Sequence, residues 1–258
     1  MNKKIGRPVI TVSIVSHNQT ELMTPLLRQL AVVAKTTPLR VIVTENVLGN
    51  LPDFPRIEGL DLIYVKNKHP KGFGANHNAA FGYCDTPFFC VLNPDIRLME
   101  DPFCELLKRL EENPGVAGPR VIDGQGGVED SARKVPSLRS LFGRIVRRIL
   151  GLSNRRDYDS NDNIFVHWLA GMCLVFDRGL FQSLGGFDVR YHMYCEDVDI
   201  CLRTWLSGKA VSYVNSARVQ HDARRDSHRN FRYMWWHVVS LIRLFTSRVY
   251  WTFPGMRA

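Results

Sequence analysis

The sequence lacks the long apolar runs and the cysteine patterns that mark membrane-spanning or zinc-binding proteins. No apolar run approaches the ~18 residues that a membrane-spanning helix needs. After the basic N-terminus, Ser13, Ser16 and His17 interrupt the first apolar run, so we expect no signal peptide. The six cysteines form no C-x-x-C pair, and most lie in apolar stretches, which predicts buried, reduced thiols. We therefore predict a cytoplasmic protein, with peripheral attachment to the inner face of the cell membrane kept open.

Two common phosphate-binding motifs are also absent. In the loop from Lys71 to Asn78, His77 stands where a dinucleotide fingerprint has its third glycine, and no Gly-Lys-Ser/Thr order of a P-loop occurs there. Gly72 and Gly74 would still let the backbone approach a ligand closely, and Lys71 could meet a phosphate. An ordinary turn explains the loop equally well.

Positive charge is in excess. The 258 residues include 34 Lys and Arg against 25 Asp and Glu, a formal net charge of +9. Such a surplus suits an anionic partner: a nucleotide, a nucleic acid or a membrane surface. The arginines concentrate at 139–156 and 218–257, on segments that also carry apolar stripes, and not along one groove with stacking aromatics. We expect no nucleic-acid partner.

Two segments carry arginines together with an apolar stripe. Residues 138–149 predict a basic amphipathic helix, which lies either on an anionic bilayer or on the core with its basic face in solvent. The tail, residues 224–258, mixes tryptophans and arginines. That mixture suits a membrane interface, and equally a helix that covers the sheet.

Strand-like and helix-like patterns alternate along the chain. Strands are predicted at 9–15, 40–44, 60–65, 87–92, 116–122 and 210–214, with a strand-like run at 166–176, and helices at 20–34, 74–83 and 103–110. This alternation predicts an α/β fold: a mixed but mainly parallel sheet flanked by helices. We predict one domain over 1–223, with a nucleotide-binding half at about 1–97 and an acceptor half at about 98–223, then amphipathic helices in the tail.

Acidic residues follow one predicted strand and begin one predicted helix. Asn93-Pro94-Asp95 comes directly after a buried strand, where open α/β sheets bind ligands. Glu196 and Asp197 lie near a helix N-terminus, which favours ionised carboxylates able to act as bases. A plain turn and a charged helix cap are the alternatives. His221 follows the last predicted strand, and it either coordinates a bound group or has only a structural role.

Seven motifs, in order and spacing, resemble family 2 glycosyltransferases of the GT-A (Rossmann-like) fold, and most closely the bacterial rhamnosyltransferase-like members. They are Val15–Asn18, Lys71–Asn78, Asn93–Asp95, Trp168–Met172, Gly185–Asp188, Glu196–Cys201 and His221. The resemblance covers roughly residues 9–245, nearly the whole chain.

The resemblance implies an inverting, metal-assisted transfer of rhamnose or a similar sugar from a nucleoside-diphosphate donor. By this likeness Asp95 holds Mg2+ or Mn2+, and His221 completes the metal or phosphate shell. Asp197 is the general base, and Glu196 positions it or binds the acceptor. The residues that this likeness assigns to the donor are Ser16, His17, Asn18, Glu45, Asn46, Lys71, Gly72, Gly74, Asn76, Asn78 and Asn93.

The resemblance also implies the partners. The donor is a dTDP-, UDP- or GDP-sugar, and the acceptor is a polyprenyl-linked saccharide used for surface polysaccharide or O-antigen. Glu45-Asn46 replaces the Asp-Asn usual in the family, which leaves the nucleotide base open, and Asn93-Pro94-Asp95 has a single carboxylate. The alternative is a non-catalytic module that binds a nucleotide sugar or saccharide through the same fold.

Overall fold

The computed structural model describes residues 7–47, 57–137, 143, 147, 156–158, 160–221 and 231–256. The predicted basic amphipathic helix at 138–149 lies outside the described residues apart from Gly143 and Arg147. Its two interpretations therefore stay predictions.

The described residues form a nine-stranded sheet and a small two-stranded one. The strands are β1 Ile10–Ser16, β2 Leu39–Glu45, β3 Asp61–Lys66, β4 Phe88–Leu92, β5 Ile96–Arg97, β6 Gly115–Ile122, β7 Ala132–Arg133, β8 Ile164–Phe165, β9 Trp168–Leu169, β10 Cys173–Asp177 and β11 Ala210–His221. The large sheet has the order β3-β2-β1-β4-β10-β6-β11-β5, and β8 also pairs with β11. β7 and β9 form the small sheet.

The large sheet is mixed but mainly parallel, as predicted. β3, β2, β1 and β4 pair in parallel, and so do β6 and β11. β10 lies antiparallel between β4 and β6. The single run predicted at 166–176 is wrong: a turn at Ala170–Met172, where Met172 N–H donates to Ala170 O at 2.8 Å, divides it between two sheets.

β11 extends beyond its predicted end at residue 214. Its pairing with β6 has an irregularity between Val214 and Arg218 and then continues to His221. There it also pairs with β5, with His221 opposite Ile96. His221 is thus brought beside the loop that carries Asp95.

Helices cover both faces of the sheet. They are α1 Thr20–Val33, α2 Phe73–Phe81, α3 Phe103–Glu112, α4 Arg178–Ser183, α5 Glu196–Leu206, α6 Phe231–Thr246 and α7 Arg248–Thr252. Alternating side chains of β4 divide the core: Cys90 and Leu92 pack with α1 and α3, whereas Phe89 and Val91 pack with α4 and α5.

The tail packs against α5. Leu244, Tyr250 and Phe253 are buried in the same cluster as Val198, and the Tyr250 hydroxyl donates to Pro136 O at 2.9 Å. Among the described residues no helix combines the length and apolar character needed to cross a membrane.

Candidate active site

A cavity of about 440 Å3 opens at the carboxyl edge of the parallel strands. Its walls come from Val15, His17, Gln19, Phe73, His77, Asn93, Pro94, Asp95, Ala170, Gly171, Met172, Met193, Tyr194, Glu196, Asp197 and Tyr233. The two acidic clusters predicted from the sequence therefore share one cavity. They meet because Asn93–Asp95 follow β4 directly, and the turn before β10 and the start of α5 lie at the same edge, where Asn93 N–H donates to Met172 O at 2.9 Å.

Asp95 and His221 lie together with a second carboxylate. His221 Nε2 is 3.3 Å from Asp95 Oδ2, and His221 Nδ1 is 2.9 Å from Glu129 Oε2. Burial lowers the pKa of His221, but the hydrogen bonds to Asp95 and Glu129 outweigh it and raise that pKa to about 10. The turn at 123–127 brings Glu129 back to β6, where its N–H donates to Val121 O at 2.9 Å.

The donor set at Asp95 fits a divalent metal. Asp95 Oδ1 is buried and has no hydrogen-bond partner among the described residues, so one carboxylate oxygen is left for a ligand. Asp95 and Glu129 occupy both ring nitrogens of His221 in this structure, so Nε2 would have to lose its proton and its Asp95 contact before it could bind a metal, with Glu129 then orienting the ring. Across the described residues no group of three or more His, Cys, Asp or Glu side chains is arranged to hold a metal alone. Phosphate oxygens commonly complete such sites for Mg2+.

The segment before α5 has an uncommon backbone. Tyr194 and Cys195 both have positive φ, at 72° and 65°. Non-glycine residues adopt this region at an energetic cost, and such residues cluster at functional sites. The conformation starts α5 at Glu196 and places the Glu196–Asp197 pair in the cavity.

Asp197 is held by the backbone, whereas Glu196 is not fully paired. Asp197 Oδ2 accepts from Gly171 N–H at 3.1 Å, and Oδ1 accepts from Val198 N–H at 2.8 Å. Glu196 is buried and its Oε2 has no hydrogen-bond partner among the described residues. Burial raises the pKa of both carboxyls, and the charge of Asp197 raises that of Glu196 further. A carboxyl whose pKa is raised toward neutrality is suited to take up a proton.

Three asparagines connect the ends of β2 and β3 to the loop before α2. Asn67 Nδ2 donates to Asn46 Oδ1 at 2.7 Å and to Asn76 Oδ1 at 2.6 Å. Asn46 Nδ2 donates to Lys71 O at 2.8 Å, and Asn46 Oδ1 accepts from Lys71 N–H at 2.8 Å. These contacts fix the backbone at Lys71, whose side chain is exposed. They give Asn46 and Asn76 a supporting role; direct contact of either with a donor stays a prediction.

The glycines of this loop serve contacts within the chain. A Cβ on Gly72 would lie 2.4 Å from His192 O, and one on Gly74 would lie 2.6 Å from Phe187 Cβ. Asn78 Oδ1 accepts from Phe187 N–H at 2.9 Å, and Asn78 Nδ2 donates to Phe187 O at 2.8 Å. The close approach that the sequence suggested for a ligand is thus, in this structure, an approach to the segment that precedes α5.

The end of β1 meets the end of β2. Asn18, with φ of 60°, donates its N–H to Glu45 Oε1 at 3.0 Å, and Glu45 Oε2 is buried without a partner among the described residues. Ser16 Oγ accepts from Gln19 N–H at 3.3 Å. His17 lines the cavity, with its Nε2 2.9 Å from Asn46 Nδ2. Of the predicted donor residues, only His17 and Asn93 line the cavity.

Asn67, Glu129 and Tyr233 were not predicted from the sequence, and His77 was noted only as part of the loop from Lys71 to Asn78. Burial lowers the pKa of His77 to about 3, so its imidazole is neutral, with Nδ1 2.9 Å from Ser13 Oγ. Glu129 and Tyr233 reach the site only through the folded chain, and no local motif marks them. Asn67 ends its strand as Asn46 and Asn93 end theirs, and that repeated pattern was the available signal.

Comparison with known sequences gives a family and two related enzymes. A model of the family described as Glycosyl transferase family 2 matches residues 43–185, just over half of the chain. Rhamnosyltransferase WbbL of Escherichia coli strain K12 is 29% identical over 250 residues, which cover 91% of this chain and 92% of that protein. N-acetylglucosaminyl-diphospho-decaprenol L-rhamnosyltransferase of Mycobacterium tuberculosis is 36% identical over 139 residues, 51% of this chain and 45% of that enzyme.

Comparison with solved structures gives the fold. GalNAc-T7, crystallised with UDP, GalNAc and Mn2+, superposes with a TM-score of 0.64 over 86% of this chain and 45% of its own, at 14% identity. This likeness confirms the predicted GT-A architecture. With the ordered motifs and the match over 43–185, it leads to one conclusion: the chain belongs to glycosyl transferase family 2 and is a glycosyltransferase of the GT-A fold.

Proposed function

We propose that this glycosyltransferase moves rhamnose or a similar sugar, with inversion, from a nucleoside-diphosphate donor to a hydroxyl of a lipid-linked saccharide. The observation that carries the proposal is the shared cavity, which is lined by Asp95, the partner of His221, and by the buried pair Glu196 and Asp197. Similarity to two bacterial rhamnosyltransferases supports the choice of sugar.

In the proposed reaction Asp197 accepts the proton of the acceptor hydroxyl. The acceptor oxygen then forms the new bond to the anomeric carbon of the donor sugar. The bond from that carbon to the phosphate oxygen breaks, and its electron pair leaves with the nucleoside diphosphate. Attack from the face opposite the leaving group inverts the anomeric centre. The N–H groups of Gly171 and Val198 aim the carboxylate, and Glu196 positions it or binds the acceptor.

The proposed metal ligands are Asp95 and His221, with donor phosphates completing the shell. Bound Mg2+ or Mn2+ would offset the negative charge that develops on the leaving diphosphate. The unpartnered Asp95 Oδ1 supports this assignment, as does the Mn2+ in the GalNAc-T7 structure.

The proposed donor site lies at the ends of β1 and β2 and along the loop before α2. Ser16, His17, Asn18, Glu45 and Asn46 would hold the base and ribose. Lys71, whose side chain is exposed and whose backbone Asn46 fixes, would meet the diphosphate. A dTDP-, UDP- or GDP-sugar remains the candidate donor.

The proposed acceptor is a polyprenyl-linked saccharide used for surface polysaccharide or O-antigen. The name of the mycobacterial relative specifies a decaprenol-linked acceptor, which supports this class. Such an acceptor would place the enzyme at the inner face of the cell membrane. We also propose that the chain is divided into a nucleotide-binding half at about 1–97, an acceptor half at about 98–223 and the tail.

A thermal-shift panel tests the donor site. The panel would contain nucleoside diphosphates and their sugars, each with and without Mn2+. A ligand that binds only the folded state raises the melting temperature according to its concentration relative to Kd. We expect a Mn2+-dependent shift with one nucleotide, and loss of that shift in Asp95→Ala. A protein that no nucleotide shifts, with or without metal, would contradict the proposal.

A further inference from the structure

The outer face of α6 is apolar and exposed. Phe231, Met234, Trp235, Val238 and Ile242 recur at helical spacing, and each has between 44% and 78% of its surface in solvent. Trp251 of α7, 62% exposed, adds a further large aromatic. A monomeric soluble domain rarely leaves so continuous an apolar stripe uncovered. We call these six residues the outer stripe.

The inner face of the same helix contacts the catalytic segment. The ring of Trp236 lies 4.4 Å from that of His192, and the ring of His237 lies 4.8 Å from that of Tyr194. Ser240 Oγ donates to Met193 O at 2.9 Å. Residues 192–194 lead directly into Glu196 and Asp197, so one helix separates the outer stripe from the site.

The charge of the segment favours an anionic lipid surface over a second copy of the chain. Residues 231–256 contain three arginines and no Asp or Glu. Two copies that joined through the outer stripe would bring like charges together, because a symmetric dimer uses the same patch twice. Tryptophans and arginines around an apolar helix face suit the boundary between headgroups and acyl chains.

We propose that the outer stripe docks α6 on an anionic lipid bilayer and sets the cavity beside its surface. A saccharide on a membrane-bound lipid then reaches Asp197 without leaving the bilayer. Tyr233, which lines the cavity, lies on the docking helix and belongs to the acceptor side of the cavity. The delivery of the acceptor rests on the proposed function. The docking on a bilayer rests only on the exposed apolar face of α6 and on its charge.

The test compares Trp235→Ser/Ile242→Ser with the control Val32→Ser/Met99→Ser, which also removes two exposed apolar residues but far from the tail in sequence. The whole protein is sedimented with vesicles of phosphatidylglycerol and phosphatidylethanolamine, and with phosphatidylcholine vesicles. We expect the unaltered protein and the control to bind the anionic vesicles, and the stripe variant to bind at least about tenfold more weakly. Equal binding by the stripe variant and the control, or no binding by the unaltered protein, overturns the proposal.

Two further measurements separate docking from chemistry. The stripe variant should transfer sugar normally to a saccharide on a short soluble chain and poorly to the same saccharide in vesicles. Bilayer binding without transfer to either acceptor would leave docking intact and contradict the proposed function. Sedimentation velocity gives the oligomeric state; a dimer that the stripe variant alone disrupts would show that a second copy covers the stripe, which overturns the proposal.

Discussion

Asp197 is fixed by two backbone N–H donors, so a change that keeps its shape can separate chemistry from binding. We expect Asp197→Asn to lower kcat by roughly 10²–10⁴-fold, because the amide cannot take up a proton, while the donor Kd changes little. Single-turnover kinetics and nucleotide titration measure the two effects.

Asp199, two residues further on the same helix, provides the comparison. Its Oδ2 accepts from Arg203 Nε at 2.7 Å, so it belongs to a structural ion pair. Asp199→Asn should lower the melting temperature and keep kcat. Loss of donor binding in Asp197→Asn would show that its carboxylate has a binding role.

The raised pKa values of Glu196 and Asp197 predict the pH dependence of transfer. The base works only when ionised, so kcat/KM should rise with pH through a range above that of ordinary carboxyls. The rise of kcat/KM on the acidic side of the profile, the acid limb, reports the joint titration of Glu196 and Asp197, because the two carboxyls are coupled. In Glu196→Gln the limb should stay close to its position in the unaltered protein, because burial, and not the charge of Glu196, raises the pKa of Asp197. If the acid limb persists in Asp197→Asn, then another group is responsible for it.

Glu129 is expected to position His221 for the metal. Its Oε2 is 2.9 Å from His221 Nδ1, on the side of the ring opposite Asp95. We expect Glu129→Gln to weaken Mn2+ binding by about 10–100-fold, because the ring loses the carboxylate that orients it. Mn2+ titration followed by electron paramagnetic resonance measures this in the presence of nucleotide. Glu111→Gln, an exposed acid on α3, is the charge-matched control; equal affinity in both variants would make Glu129 structural only.

At the scale of elements, the join between α2 and the segment before α5 depends on close backbone packing. A Cβ at Gly74 would lie 2.6 Å from Phe187 Cβ, inside any real contact distance. Gly74→Ala should therefore cost about 1–3 kcal/mol of unfolding free energy. Urea denaturation measures it.

Gly124→Ala is the matched control for this prediction, since its added Cβ would meet nothing nearer than 3.8 Å. That variant should stay within about 0.5 kcal/mol of the unaltered protein. Equal stability of the two variants would mean that α2 can shift away from Phe187 without cost.

The elements that carry a long apolar pattern were predictable, and the short ones were not. β1, β2, β4 and β6 are runs of five to eight mostly apolar residues, long enough to show a pattern. β5, β7, β8 and β9 have two residues each and show no periodicity at all. They exist because neighbouring strands offer free backbone groups, which is tertiary information.

The same distinction applies to the site. Asp95, Glu196 and Asp197 were predictable because each follows or begins an element with a clear pattern. The pairing of Glu129 with His221 was not, since it depends on the extension of β11 and on a turn. The role of the loop glycines was assigned to a ligand because the sequence cannot show that His192 and Phe187 lie against them.

At the scale of the whole molecule, the sheet makes the two predicted halves depend on each other. β4 lies in the nucleotide half, yet its neighbour on one side is β10, from the acceptor half. We expect a fragment of residues 1–97 to show no cooperative melt and no nucleotide shift, because β4 would lose that partner and expose Phe89 and Val91.

Differential scanning calorimetry and circular dichroism of the fragment and the whole chain test this expectation. Mixing the fragment with residues 98–258 should restore nucleotide binding if the halves reassociate through β4 and β10. A fragment that melts cooperatively by itself would make the nucleotide half an independent domain.

The position of β10 also affects how the protein is made. During synthesis β1 to β4 leave the ribosome well before Cys173–Asp177. Until then β4 presents an unpaired edge and an apolar face, the combination by which nascent chains aggregate. The nascent chain should therefore bind a chaperone most strongly after β4 emerges and release it once β10 has been translated.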